Sequence, residues 1–171
     1  MLESGSLDVG FLRMPVGEHS ALDVVTVHRE PFVLVVPSSH KLAKRKRVRL
    51  REVAGQDFVM YERTYAPGFH DLMYGIFRDA RIAPNVSQTA VEIPMLISLV
   101  ASGMGITIAP LSVVKHSAAS VVVCNIVDRI PMSEIGIAVS KRFRTAIVDN
   151  FRSFALEKLG RARKSLRADE S

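Results

Sequence analysis

Short, almost wholly apolar runs alternate along this sequence with stretches in which apolar residues recur at helical spacing. Few architectures accommodate that pattern. The runs predict buried strands and the periodic stretches predict helices laid over them, so an α/β protein with mixed, mainly parallel sheets is expected. Leu7–Arg13 (LDVGFLR) predicts the first strand, and residues 14–29, with Pro15, Gly17 and scattered polar side chains, predict a loop. Pro31–Val36 (PFVLVV) predicts the strongest strand, stopped by Pro37 and Ser38. Leu50–Ala54 predicts a single helical turn, and Phe58–Tyr61, Val86–Thr89, Ile106–Ala109, Val121–Cys124 and Ile135–Val139 predict further strands.

Three stretches carry a helical period. Over residues 68–81, Phe69, Leu72, Met73, Ile76, Phe77 and Ala80 share a face, with Asp71 early and Arg78 and Arg81 late, as the helix dipole favours. Pro94–Ala101 (PMLISLVA) predicts a helix with Pro94 in its first turn, because an interior proline would break the ladder, and Gly103 as its stop. Thr145–Leu159 predicts a closing amphipathic helix that buries Ile147, Val148, Phe151, Phe154, Ala155 and Leu159. The residues from Gly160 are expected to form a frayed polar tail.

Composition narrows the function classes. Of 171 residues, 48% are hydrophobic and 23% charged, which suits a folded domain rather than a disordered tail. No apolar run reaches the roughly 18 residues of a membrane span. The first residues (MLESGSLDVG) lack the positive-then-apolar layout of an export signal, so a cytoplasmic protein without membrane contact is expected. A single cysteine, Cys124, excludes an intramolecular disulfide and a cysteine-based zinc cluster, and in an apolar run it reads as an inert core thiol.

The net charge of +6 raises the question of nucleic acid. Lys41, Lys44, Arg45, Lys46, Arg47, Arg49 and Arg51 fall in one short run, and Arg161, Arg163, Lys164 and Arg167 fall near the end; without these two clusters the chain is slightly acidic. The first cluster could contact phosphates. No aromatic residue interleaves it for base stacking, which favours a solvated loop between strands.

Enzyme motifs are weak. Gly103-Met104-Gly105 lacks the third glycine of a dinucleotide loop and sits between a helix and a strand in the wrong order, so a helix cap and tight turn are expected. The histidines His19, His28, His40, His70 and His116 never fall three or four apart, so no helix offers a metal two ligands. His70-Asp71 reads as complementing a helix dipole, and nothing nominates a nucleophile for a triad. Glu62 and Glu92 could pair for acid–base work, although loop carboxylates usually face water. Neither an enzyme nor a cofactor or metal site is expected.

Five segments, in order, resemble the effector-binding domain of LysR-type transcriptional regulators: Gly5–Arg13 (GSLDVGFLR), Phe32–Ala43 (FVLVVPSSHKLA), Tyr61–Asp71, Leu99–Pro110 (LVASGMGITIAP) and Ile135–Val139 (IGIAV). They cover most of residues 2–159. The resemblance implies a type-2 periplasmic-binding-protein-like fold, two α/β lobes joined by two crossovers with a small-molecule effector in the cleft between them. Residues 1–31 and 134–160 would form lobe I, residues 32–133 lobe II and residues 161–171 the polar tail. The crossovers would fall near His28–Phe32 and Ile130–Ile135. Family members carry an amino-terminal helix-turn-helix and an opening strand–helix–strand of lobe I that this sequence lacks, so lobe I is expected to be incomplete. DNA would then be reached only through a domain absent from the chain.

The same resemblance nominates Arg13, Tyr61, Pro67, Gly68, Phe69 and Glu92 as effector-binding residues. Arg13 could pair with a carboxylate, or simply end a strand at the surface. Pro67, Gly68 and Phe69 match a turn that opens a helix towards the cleft, where backbone N–H groups and the dipole can hold an anion; the Phe69 ring also suits a core position. Glu92 matches an acidic cleft position, against a capping box formed with Thr89. Tyr61 offers a hydroxyl at a strand end, or is a half-buried tyrosine. A small carboxylate or other anion is the expected partner, in a homo-oligomer (dimer or tetramer) whose lobe closure controls DNA binding. The alternatives are a solute-binding protein, a headless fragment that binds ligand without regulating DNA, an enzyme on the same scaffold, and direct DNA contact through residues 41–51.

Overall fold

The computed structural model describes residues 1–16, 21–64, 66–115 and 120–168, with 160–168 as backbone only. In chain order the strands are β1 (Val9–Met14), β2 (Leu22–Glu30), β3 (Phe32–Pro37), β4 (Arg47–Val48), β5 (Asp57–Tyr61), β6 (Asn85–Ala90), β7 (Thr107–Pro110), β8 (Val121–Ile126) and β9 (Ser133–Ser140). The helices are α1 (Pro67–Asp79), α2 (Ile93–Ala101), α3 (Leu111–Lys115) and α4 (Ala146–Ala168), with 3-10 turns at Lys41–Lys44 and Leu50–Val53. The chain divides into two compact units, Met1–Arg29 with Glu134–Ser171, and Glu30–Ser133.

In the first unit the sheet order is β1-β9-β2, with β1 antiparallel to β9 and Leu12 opposite Gly136. Ile137, Val27 and Ala155 pack together beside a smaller cluster of Leu2, Leu22 and Ala138. The strand β2 replaces the loop expected over 14–29, of which residues 17–20 lie outside the described residues. Its sequence, LDVVTVHRE, is rich in β-branched residues, which favour a pleated surface even where polar side chains interrupt them.

Helix α4 departs from expectation in two ways. It buries Val148 and Ala155, whereas Ile147, Phe151, Phe154 and Leu159 are exposed. Arg144 and Arg152 both reach Asp23 of β2, at 2.9 and 3.1 Å, which fixes the rotation that turns the larger apolar stripe outward. The helix also runs through Gly160 to Ala168, so the tail expected from Gly160 is helical over that stretch. Arginine and lysine are good helix formers and suit a helix C-terminus, which accounts for the continuation. Residues 169–171 lie outside the described residues.

The second unit is built around β3, whose six residues are all buried. Its sheet order is β4-β8-β3-β7. The sheets are mixed, as expected, but parallel pairing does not dominate: β3 runs antiparallel to both β7 and β8, and only β4–β8 is parallel in that sheet. The reason is an insertion. β7, α3 and β8 form a helical connection between strands of one direction, and β3 lies between those strands running the other way. Alternation of helices and strands therefore coexists here with antiparallel neighbours.

Strands β5 and β6 form a separate parallel pair, extended by a bridge from Phe58 to Ile106. The helix between them, α1, packs Phe77 edge-on against Phe58 at 4.8 Å. After β6, α2 buries Leu96, Ile97 and Val100. Its exit is closed by Ser102 and Gly103, the latter at φ 83°. Gly105 follows at φ 151°, and a Cβ there would lie 2.6 Å from the carbonyl oxygen of Asp57. The GMG segment is thus the cap and tight turn expected from its order. No helix among the described residues is long and apolar enough to cross a membrane.

Candidate functional site

Five of the six nominated residues fall in the second unit, and they gather at one end of one strand pair. In the parallel ladder of β5 and β6, Tyr61 stands opposite Ala90, so the two strands finish level with each other. The amide of Glu62 donates to the carbonyl of Ala90 at 2.9 Å, which holds the two exits together. Each strand then leads into a helix. Pro67 and Gly68 open α1, and Glu92 is the N-cap of α2. Arg13 lies in the first unit, half-buried on β1 with Ile135 as its partner across the ladder.

Local chemistry explains both helix starts. Pro67 occupies the first turn of α1, where its missing N–H is no loss, and Ala66 as N-cap offers no side chain to the turn. The Gly68 N–H therefore belongs to the group that no intrahelical carbonyl accepts. At α2 the extended backbone of Glu92 (φ −132°, ψ 145°) precedes Ile93-Pro94, and its carbonyl accepts from Leu96 N–H at 3.1 Å. Thr89 is still within β6, so no capping box joins it to Glu92. The Glu92 carboxylate makes no cap hydrogen bond and is exposed.

The aromatic residues divide by burial. Phe69 is 3% exposed and belongs to the core. Its ring meets Tyr61 edge-on at 5.5 Å and Phe32 at 6.0 Å. Tyr61 is half-buried and touches both clusters of the second unit, so it stands where the core meets the strand exits. What Phe69 presents at the helix start is backbone rather than ring.

A charged network that was not among the nominated residues lies beside these. Arg63 grips Asp71 through both nitrogens of its fork, Nε to Oδ1 at 3.0 Å and Nη2 to Oδ2 at 3.1 Å. His70 Nδ1 is 2.9 Å from the same Oδ1, and the His70 ring lies 4.4 Å from Tyr74. The Arg63 hydrogen bonds, followed by that of His70, pull the Asp71 carboxyl down to about 2. The adjacent pair His70-Asp71 was visible in the sequence, but Arg63 lies across a loop and carries no spacing signal.

Cys124 is fully buried, and its thiol donates to the carbonyl of Leu42 at 3.4 Å. Burial pushes its pKa up, as suits an inert thiol. His19 and His116 lie outside the described residues, and among the described residues no group of three or more histidine, cysteine or acidic side chains could hold a metal.

With this geometry in place, comparison with known proteins identifies the chain. The family described as the LysR substrate binding domain matches residues 1–160. The chain belongs to that family. It is 37% identical over 109 residues to the HTH-type transcriptional regulator TtuA of Agrobacterium vitis, which covers 64% of this chain and 36% of that protein. It is 27% identical over 158 residues to the Hca operon transcriptional activator HcaR of Escherichia coli, covering 92% and 53%. The chain thus spans between about a third and about half of the length of these curated relatives, which are named as transcriptional regulators rather than enzymes.

Solved structures agree on the fold. The effector-binding domain of QuiR in complex with shikimate superposes with a TM-score of 0.82 at 22% identity, covering 94% of this chain and 75% of that one. The BenM effector-binding domain with benzoate gives 0.77 at 22%, covering 98% and 73%. The fold is therefore that of LysR effector-binding domains, the type-2 periplasmic-binding-protein-like arrangement.

Proposed function

We propose that this chain is the effector-binding part of a LysR-type transcriptional regulator, and that it takes a small carboxylate or other small anion at the carboxyl ends of β5 and β6. The observation that carries the reading is the level finish of these strands, with Tyr61 opposite Ala90. That register sets the start of α1, the Tyr61 side chain and the Glu92 N-cap at one end of the pair. Ligands of open α/β sheets bind outside the carboxyl ends of strands. Gly68, lacking a Cβ, allows close approach to its N–H, and a helix N-terminus favours an anion by about 0.3–2 kcal/mol.

Glu92 would repel a second anionic group, so the preferred ligand carries its charge at one end and hydroxyl or other donors at the other. Shikimate and benzoate, held by two structures of the same fold, are carboxylates of this size class. Arg13 on β1 is proposed separately as an effector-binding residue, its guanidinium fork being suited to a carboxylate. In the full regulator the ligand would bind one conformational state better than another and so bias DNA binding through a homo-oligomer, a dimer or a tetramer. We assign the chain no catalytic step and place it in the cytoplasm, alongside the DNA its relatives regulate.

The test is titration calorimetry with benzoate, shikimate and other small carboxylates against their uncharged amides, paired with amide chemical-shift mapping. The expected result is saturable binding of at least one carboxylate, at least tenfold tighter than its amide, with shifts at Gly68 and at residues 90–93. A ligand that binds while leaving those resonances unmoved would overturn the placement, and no binding across the panel would overturn the ligand class.

A further inference from the structure

The basic run is not used by the reading above, and the structure shows what its spacing accomplishes. Residues 45–51 read RKRVRLR, with arginine at every second position. Strand β4 and the turn after it bury Val48 and Leu50 in the core of the second unit. Arg47 and Arg49 project outward from extended backbone on either side of buried Val48, and Arg51 is exposed in the 3-10 turn that follows. With Arg45, Val48, Glu52 and Val127 they line a depression of about 230 Å³.

The carboxylates nearby are already engaged. Glu52 accepts from the Arg45 guanidinium and from the Arg49 N–H, the latter at 2.6 Å. Asp128 accepts from the Leu50 N–H at 2.8 Å. Arg47, Arg49 and Arg51 form no ion pair among the described residues, and Lys44 and Lys46 flank them, both exposed. Glu52 also lines the depression but is paired with Arg45, so Arg47, Arg49 and Arg51 leave it net positive. A concave surface of net positive charge concentrates the field at its centre. Arginine forks also match the geometry of phosphate oxygens, two hydrogen bonds at a time.

We propose that this depression binds a compact polyphosphate group, such as the di- or triphosphate of a nucleotide. It is built on elements other than those of the proposed carboxylate site. A duplex would need contacts spread along a longer track, and a single strand would need aromatic platforms, which residues 41–51 do not supply. Three guanidinium groups without an ion pair, beside the Arg45–Glu52 pair, around one small concavity suit a short, highly charged anion.

Calorimetric titration with inorganic tripolyphosphate tests the proposal. One anion should bind per chain, with affinity falling at least tenfold in the double variant Arg47→Ala/Arg49→Ala. Both residues are exposed, so circular dichroism should be unchanged; Arg47→Lys/Arg49→Lys, which keeps the charge but removes the forks, should also weaken binding. A control that removes two exposed arginines elsewhere, Arg78→Ala/Arg142→Ala, should bind as the parent does. Equal losses in the two alanine variants would reduce the site to diffuse charge and overturn the proposal. So would a short DNA duplex that competes better than tripolyphosphate at equal phosphate concentration. Benzoate and shikimate binding should be the same in all these variants, so this proposal and the carboxylate reading can fail separately.

Discussion

The carboxylate of Glu30 accepts two hydrogen bonds from Ser112, one from its backbone N–H at 2.6 Å and one from its hydroxyl at 2.9 Å. Glu30 closes β2 and is 5% exposed, while Ser112 lies in the first turn of α3. Beside them the Leu111 N–H donates to the carbonyl of Pro31 at 3.1 Å. The segment where β2 gives way to β3 is thereby fastened to α3 by a buried charged acceptor. Removing one donor from such an acceptor is costly, so Ser112→Ala should lower the unfolding free energy by about 1.5–3 kcal/mol. Urea denaturation reads this directly, and an unshifted midpoint would mean that the hydroxyl contributes nothing.

Gly105 makes a sharper demand on the fold. Its φ of 151° is open to glycine but unfavourable for other residues, and an added Cβ would sit 2.6 Å from a backbone oxygen that cannot swing away. That oxygen, on Asp57, accepts from Ile106 N–H at 2.8 Å, and Val59 N–H donates to Ile106 O at 2.9 Å. Gly105→Ala should therefore disturb the bridge between β5 and the start of β7 and destabilise by more than about 2 kcal/mol. Hydrogen exchange should show the amides of Val59 and Ile106 losing protection more than those of β9. Uniform loss, or none, would contradict this local account.

These cases mark how far the sequence could be read. Runs such as PFVLVV and IGIAV announce buried strands because nothing polar interrupts them. β2 was hidden because Asp23, Thr26, His28 and Arg29 break its apolar run. An apolar run also says nothing of its neighbour's direction, so the insertion of β3 between β7 and β8 could not be seen. At the candidate site, Pro94 signalled the start of α2 and hence the place of Glu92. The level finish of β5 and β6 depends on pairing across 29 residues, from Tyr61 to Ala90, which no local pattern encodes. Helix α4 failed for another reason. Its apolar residues form more than one stripe, and the ion pairs to Asp23 decide which is buried.

The Arg63–Asp71 pair predicts an acid-side effect of known sign. The Asp71 carboxyl lies at about 2, below its ordinary 3.8, chiefly through the Arg63 hydrogen bonds. A depressed carboxylate stabilises the fold above its unfolded value, and that contribution disappears as pH falls through the folded value. The window is thus from about 4 down to about 2. Arg63→Ala should move the Asp71 midpoint up towards 3.8 in a carboxyl-detected NMR titration. Both groups are exposed, so the change in stability should be small and confined to that window.

Cys124 should be silent until the second unit opens. It lies on β8 opposite Leu34 of β3, fully buried, with its pKa raised by burial. Thiolate is the reactive form, and access is closed as well. A thiol reagent at mildly alkaline pH should modify the native chain far more slowly than the urea-unfolded chain. Because β3 is the centre of that unit's sheet, the native rate should track its global unfolding. Rapid native modification would show that β8 detaches on its own.

Phe69 and Arg13 should separate packing from recognition. The Phe69 ring is wedged between Tyr61 and Phe32 and almost wholly buried, so Phe69→Ala should cost about 3–5 kcal/mol of stability. Loss of carboxylate binding in that variant would follow from loss of the core. Arg13 sits on β1, an outer strand of its sheet, and Arg13→Ala should destabilise far less than Phe69→Ala. If it contacts the carboxylate as proposed, the same substitution should weaken benzoate or shikimate binding by about 1.5–3 kcal/mol, the worth of a charged hydrogen bond. Urea curves and calorimetry on the two variants give both quantities. Unchanged affinity in Arg13→Ala would remove Arg13 from the proposed effector-binding residues.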